Sequence, residues 1–210
     1  AIPATREDWE NLRRNPKLAD MCRRIAMGHE KVKRKLPVWT PSCAEFKNNH
    51  RAIADALKPL RRLMLDFDEK GHSAEILQRS LQLQQEGKWE ILLVEESVRK
   101  GTHVLITLPQ GMTPQEAQQR FSDDVGFTAD PALKDVARCI YMVPEEYTLF
   151  VSEALFNEEL RMKNEELPAG GASEPMAATS PLPPSEGGDA NGIPLMKGVG
   201  DVTCRIWKRK

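Results

Sequence analysis

No stretch of the chain approaches the roughly 20 consecutive apolar residues that span a bilayer, so no membrane partner is expected. The opening run, Ala1 to Asp8, lacks the basic-then-apolar layout of a secretory leader, and the expected location is cytoplasmic. Cysteine is scarce and scattered. Cys22, Cys43, Cys139 and Cys204 form no C-x-x-C pair, which argues against structural zinc and for reduced thiols. An excess of one charge is also missing, with 30 Lys+Arg against 31 Asp+Glu and a net charge of -1. Gripping nucleic acid by bulk charge is therefore excluded, and any such contact must come from a local patch. Aromatic residues make up only 6%, few for stacking on bases.

What remains suits one domain with an appendage, since 210 residues with 40% hydrophobic content can bury a real core. Residues 1–34 read as an N-terminal helical, basic segment. Trp9, Leu12, Met21 and Ile25 recur at roughly helical spacing, and residues 1–35 hold ten Lys/Arg against five acids. Lys35-Leu36-Pro37-Val38-Trp39-Thr40-Pro41 must be extended or turned. A helix is predicted around 44–57, with Phe46, Ile53 and Leu57 as its stripe. Residues 61–68, 91–94 and 103–108 read as buried strands, the last two forming a hairpin. Helices are predicted over 73–86 and from Thr113, where a Thr cap, Pro114 and Glu116 give a start signal. Residues 139–143 read as another strand. Residues 168–210 form the expected disordered tail, because 168–197 hold six prolines and five glycines with little to bury. Residues 199–207 could supply a short adhesive strand within it.

The strongest chemical signal is Asp66-Phe67-Asp68 at the end of a hydrophobic run. Residues i and i+2 of a strand share a face, so both carboxylates project together. They repel unless a cation lies between them, and hard oxygen donors of this kind suit Mg²⁺ or Mn²⁺ shared with substrate phosphates. The plainer reading is a pair of helix-capping acids. Two later segments add to the first reading. Ser97-Val98-Arg99-Lys100-Gly101-Thr102-His103 joins two strands and offers cations, a hydroxyl and an imidazole as a phosphate cradle. Asp130 to Arg138 offers further acids, Asp130 and Asp135, ahead of the next strand.

In order, an acid-x-acid strand end, a His opening a later strand and a further Asp resemble the three motifs of archaeo-eukaryotic primases and primase-polymerases. Lys35-Leu36-Pro37-Val38-Trp39-Thr40-Pro41-Ser42 before Phe46 and Arg51, then Leu65-Asp66-Phe67-Asp68, resembles the VirE amino-terminal domain of Bacteroides-type mobile elements and virulence-associated proteins. Asp130-Pro131-Ala132-Leu133-Lys134-Asp135-Val136-Ala137-Arg138 resembles that domain's Asp-x-x-x-Lys-Asp-x-x-Arg stretch. The likeness covers 36–147, with Gly-Thr-His where the family's middle motif reads Ser-x-His.

The resemblance implies an α+β, primase-polymerase-like core over 35–167, with an RRM-like sheet flanked by helices and with Mg²⁺ or Mn²⁺ bound. Asp66, Asp68 and Asp130 match the catalytic, metal-binding acids, with Asp135 as an alternative third acid. His103 and Thr102, together with Lys100, Arg99 and Arg138, match nucleotide contacts. The implied partners are nucleoside triphosphates, a DNA or RNA template-primer, and a helicase in trans or in a following domain. The implied reaction transfers nucleotides onto a nucleic-acid strand through two cations about 4 Å apart. Two rivals stand beside it. One is a degenerate module that binds nucleic acid or a partner without turnover. The other is a DxD phosphatase, with Asp123-Asp124 imitating its later acidic pair.

Overall fold

In the computed structural model, residues 2–132, 135–156 and 204–207 are described. The chain is a mixed α+β fold built on antiparallel sheets and helices. Two helices open it after a short strand β1 (Ile2–Ala4). Helix α1 (Arg6–Arg13) starts on a capping box between Thr5 and Asp8, and α2 (Pro16–Ala26) starts on an Asn15 cap with Pro16 in its first turn. A 3₁₀ turn over Glu30–Lys35 follows. The proline-flanked segment then gives β2 (Val38–Thr40).

The expected helix at 44–57 is not formed. Strands β3 (Cys43–Phe46) and β4 (Ala56–Pro59) pair antiparallel there. Asn48 and Asn49 take left-handed backbone conformations, φ 52° and 54°, which asparagine tolerates and a helix does not. Of the three residues at helical spacing, only Phe46 is buried, while Ile53 and Leu57 are exposed.

The main sheet has the order β5-β7-β6-β9, formed by β5 (Arg62–Phe67), β6 (Ile91–Glu96), β7 (Thr102–Thr107) and β9 (Thr148–Val151). Helix α3 (Ser73–Gln85) connects β5 to β6, and β7 returns between them, which makes a split βαβ unit. Helix α4 (Pro114–Val125) has the capping box expected of Thr113 and Glu116. Strand β8 is only Ile140–Tyr141, shorter than the 139–143 expected.

Both faces of the main sheet are covered. Leu63, Leu65, Val104, Ile106 and Phe67 pack with Ile76, Leu83 and Phe121 of α3 and α4. On the other face, Met64, Leu93 and Leu105 pack with Trp9, Leu18, Cys22 and Ile25 of α1 and α2. The basic N-terminal segment thus shares one core with the sheet.

The second sheet, in the order β1-β10-β2-β8, contains a strand within the 199–207 segment read as adhesive. Strand β10 (Cys204–Trp207) pairs antiparallel with β1 on one side and β2 on the other, and Ile206 is buried in the core that holds Trp9 and Trp39. Residues 204–207 are therefore ordered strand. Residues 157–203 and 208–210, which include the rest of the expected tail, lie outside the described residues. Among the described residues no helix is long and apolar enough to cross a membrane. Cys22 and Cys139 are free thiols, and Cys43 Sγ donates to the Glu45 carbonyl at 3.1 Å.

Candidate active site

Register places three side chains in one row. Asp66 of β5 pairs with His103 of β7, which pairs with Glu95 of β6, so all three share the sheet face beneath α1 and α2. They extend the apolar row Met64-Leu105-Leu93 by one step toward the end of the sheet. His103 Nε2 stands 3.7 Å from Asp66 Oδ1, and His103 Nδ1 stands 3.1 Å from Glu95 Oε1. Glu95 Oε2 accepts from Arg13 Nη1 of α1 at 2.6 Å. Asp66 opens to solvent, with 25% of its side chain exposed, while Glu95 is fully buried.

Asp68, two residues on, is exposed just past the strand. Asp130 is drawn in by the backbone, its amide donating to the Asp66 carbonyl at 2.7 Å. Gln118 of α4 holds the Asp130 carbonyl from the far side at 2.7 Å. Burial raises the Asp66 carboxyl above the ordinary carboxylate range. Asp68 and Asp130 push it further up, against the opposing pull of His103 and Lys33. Across the site, the Lys33 ammonium is lowered by burial and by Arg99, against Glu30, Asp66 and Asp68. Among the described residues no hydrogen bond reaches the Asp66 or Asp68 carboxylate.

Gly101 permits this closeness. A Cβ there would lie 2.5 Å from the Phe67 carbonyl oxygen and 3.4 Å from Asp68 Cα. The left-handed residue of this turn is Lys100, at φ 72°, and not Gly101. The Gly101 amide is not offered to a ligand, because it donates to Ser97 Oγ at 3.0 Å.

The other expected contacts are distributed differently. Thr102 faces the opposite side of the sheet and donates to Ser73 Oγ of α3 at 2.8 Å. Lys100 pairs with Glu96 and lies over the Tyr147 ring. Arg99 pairs with Glu30 and lines a cavity of about 550 Å³ with Lys31, Lys33, Arg34 and Tyr141. Asp135 accepts from the Ala137 amide at 2.7 Å, and Arg138 donates to the Ala132 carbonyl. Both contacts are made within their own segment rather than with the acids. In the phosphatase rival's second pair, Asp124 accepts from Trp89 Nε1 at 2.7 Å and Asp123 from Gln119. The structure thus gathers Asp66, Asp68, Asp130 and His103, brings Lys33 of the basic N-terminal segment beside them, and adds Glu95 and Arg13, which sequence reasoning missed. Only register and long-range pairing bring in the last two.

Among the described residues no group of three or more His, Cys, Asp or Glu side chains is set close enough to hold a metal ion. The donor chemistry still fits a hard cation. Magnesium keeps several waters and is commonly held by one or two carboxylates plus substrate phosphates, and Asp66 with Asp68 supply two. No protein-family model, curated protein or solved structure matches the chain.

Proposed function

We propose that this chain is a primase-polymerase-like nucleotidyltransferase domain, as the resemblance to the VirE amino-terminal domain implies. It would transfer nucleotides from a nucleoside triphosphate onto a nucleic-acid strand. The observation that carries the reading is the convergence of Asp66, Asp68 and Asp130 at one sheet end. There the Asp66 carboxylate is held at an energetic disadvantage that a bound cation would relieve. Carboxylates crowded in this way are common at functional sites.

Asp66 and Asp68 would hold Mg²⁺ or Mn²⁺, with water and triphosphate oxygens as the remaining donors, and Asp130 would add negative charge beside them. When bound, the ions would supply Lewis-acid activation of the primer hydroxyl and of the triphosphate. The chain's own contribution is binding and orientation. His103 Nε2 faces the acids and would donate to a phosphate oxygen. Lys33 and Arg99, from the adjoining cavity, would offset charge developing on the leaving pyrophosphate. Burial of His103 keeps water from its ring.

A second reading, a module that binds nucleic acid or a partner without turnover, is favoured by one observation. Arg99 and Lys100 are already committed to Glu30 and Glu96. One experiment separates the two. Asp66→Ala with Asp68→Ala should abolish Mn²⁺-dependent nucleotide incorporation with the thermal transition retained. Full activity in that variant refutes the mechanism, and an inactive wild type that still binds oligonucleotide supports the second reading. Cooperative stabilisation by Mn²⁺ and a triphosphate together would mark a shared site.

A further inference from the structure

Behind His103 the polar row continues into the core. Glu95 is completely buried and Arg13 is only 2% exposed. Arg13 gives Nη1 to Glu95 at 2.6 Å and Nη2 to Thr148 Oγ1 at 2.6 Å, and its guanidinium lies 4.2 Å from the Trp9 ring centroid. Four elements, α1, β6, β7 and β9, are joined through these contacts. A buried ion pair is weak evidence for stability, because apolar residues of similar volume serve as well. Its placement directly behind the one imidazole that faces the acids calls for another explanation.

A carboxylate bound to a guanidinium can only accept. The hydrogen in the Glu95–His103 contact therefore sits on His103 Nδ1, and the ring is fixed with Nε2 toward Asp66. Carboxylates set behind imidazoles fix ring orientation in this way at many sites. We infer that Arg13 and Glu95 are positioning residues for His103. The first helix, through Arg13, locks Glu95, and Glu95 presents the imidazole edge to the acid cluster. Helix α1 is then a working part of the site. The inference rests on the proposed function only for what Nε2 meets, a triphosphate oxygen. The orientation itself does not depend on it.

The test uses the full chain with ¹⁵N-labelled histidine and NMR of the ring nitrogens, His103 being assigned by its loss in His103→Asn. Wild type should show a slowly exchanging Nδ1–H proton from His103. Replacing the pair with Arg13→Met and Glu95→Met should remove that protection while a cooperative thermal transition is retained. If this double variant fails to fold, Arg13→Lys serves instead. Its ammonium lacks the planar fork that reaches Glu95 and Thr148 with two fixed nitrogens, and exchange should quicken about tenfold, as loss of one supporting hydrogen bond allows. A protected signal that persists in the variants, or its absence from wild type, overturns the inference.

Calorimetry with a non-hydrolysable nucleoside triphosphate gives the second arm. Affinity should fall about tenfold in His103→Asn and in the paired variant, with no further loss when the two are combined. Losses that add in the combined variant would mark a merely structural role and overturn the inference. If wild type binds no triphosphate while the ring signal behaves as expected, the proposed function fails and the positioning stands.

Discussion

Replacing Gly101 by alanine tests how tightly the β6–β7 hairpin is docked on the acid pair. The backbone at 101 lies outside the left-handed region that demands glycine. By chain entropy alone the substitution would stabilise the protein by about 0.4–1 kcal/mol. The contacts reverse that sign. The new methyl would sit 2.5 Å from the Phe67 carbonyl oxygen and 3.3 Å from Ser97 Oγ. The serine side chain can turn away, but the carbonyl is part of β5. About 1 Å of separation is needed to restore ordinary van der Waals contact, at the rung where Phe67 pairs with Thr102. Overpacking of this kind costs about 1–3 kcal/mol, and each ladder hydrogen bond lost adds about 1 kcal/mol. The expected loss is about 2–4 kcal/mol, a fall in Tm of roughly 5–15 °C at this chain length. Urea unfolding followed by circular dichroism, with Cm and m fitted separately, measures it. A Gly101→Ala variant equal to or more stable than wild type would refute the docking described here.

Two further outcomes follow from the charges around the row. Ionised Asp66 opposes folding, because burial, Asp68 and Asp130 raise its carboxyl. Asp66→Asn should therefore raise stability near neutral pH by about 0.5–2 kcal/mol, typical of relieved charge crowding, while abolishing incorporation. A destabilised variant in thermal melts would contradict this. Stability should also peak in mildly acidic solution. Against burial, Arg13 and His103 hold the Glu95 carboxyl below its ordinary 4.5. That contribution is present above pH 4.5 and lost as pH falls through the folded value. Against burial again, Glu95 and Asp66 hold His103 above its ordinary 6.5. Its contribution is complete below pH 6.5 and disappears as pH rises through the folded value. Urea midpoints at pH 6 and pH 8 should differ in wild type and converge in His103→Asn; equal wild-type midpoints would contradict the assignment.

Local signals were read well where they were strong. The apolar runs of β5, β6 and β7 and the Thr113-Pro114-Glu116 start are patterns that tertiary context did not override. The 44–57 segment was misread because Phe46, Ile53 and Leu57 mimic helical spacing. The Asn48-Asn49 pair was the turn signal that outweighed it. Asp66 is legible because alternation along β5 fixes its face, whereas Asp68 lies just past the strand end, where alternation no longer applies. Asp130 was placed by motif order, and the structure joins it to β5 through its amide. Glu95 and Arg13 were invisible for a different reason. A glutamate at a strand end and an arginine in an amphipathic helix read as ordinary surface charge, and only the register of β6 against β7 turns both inward. Lys33 belongs to the basic N-terminal segment, and only tertiary packing sets it beside the acids.

Strand β10 lies between β1 and β2, although it is made after every other described element. On the ribosome, the first strand must therefore wait without its neighbour while the main sheet assembles. Closure of the smaller sheet must await β10, and a product cut short before that strand would leave β1 and β2 with bare edges open to aggregation.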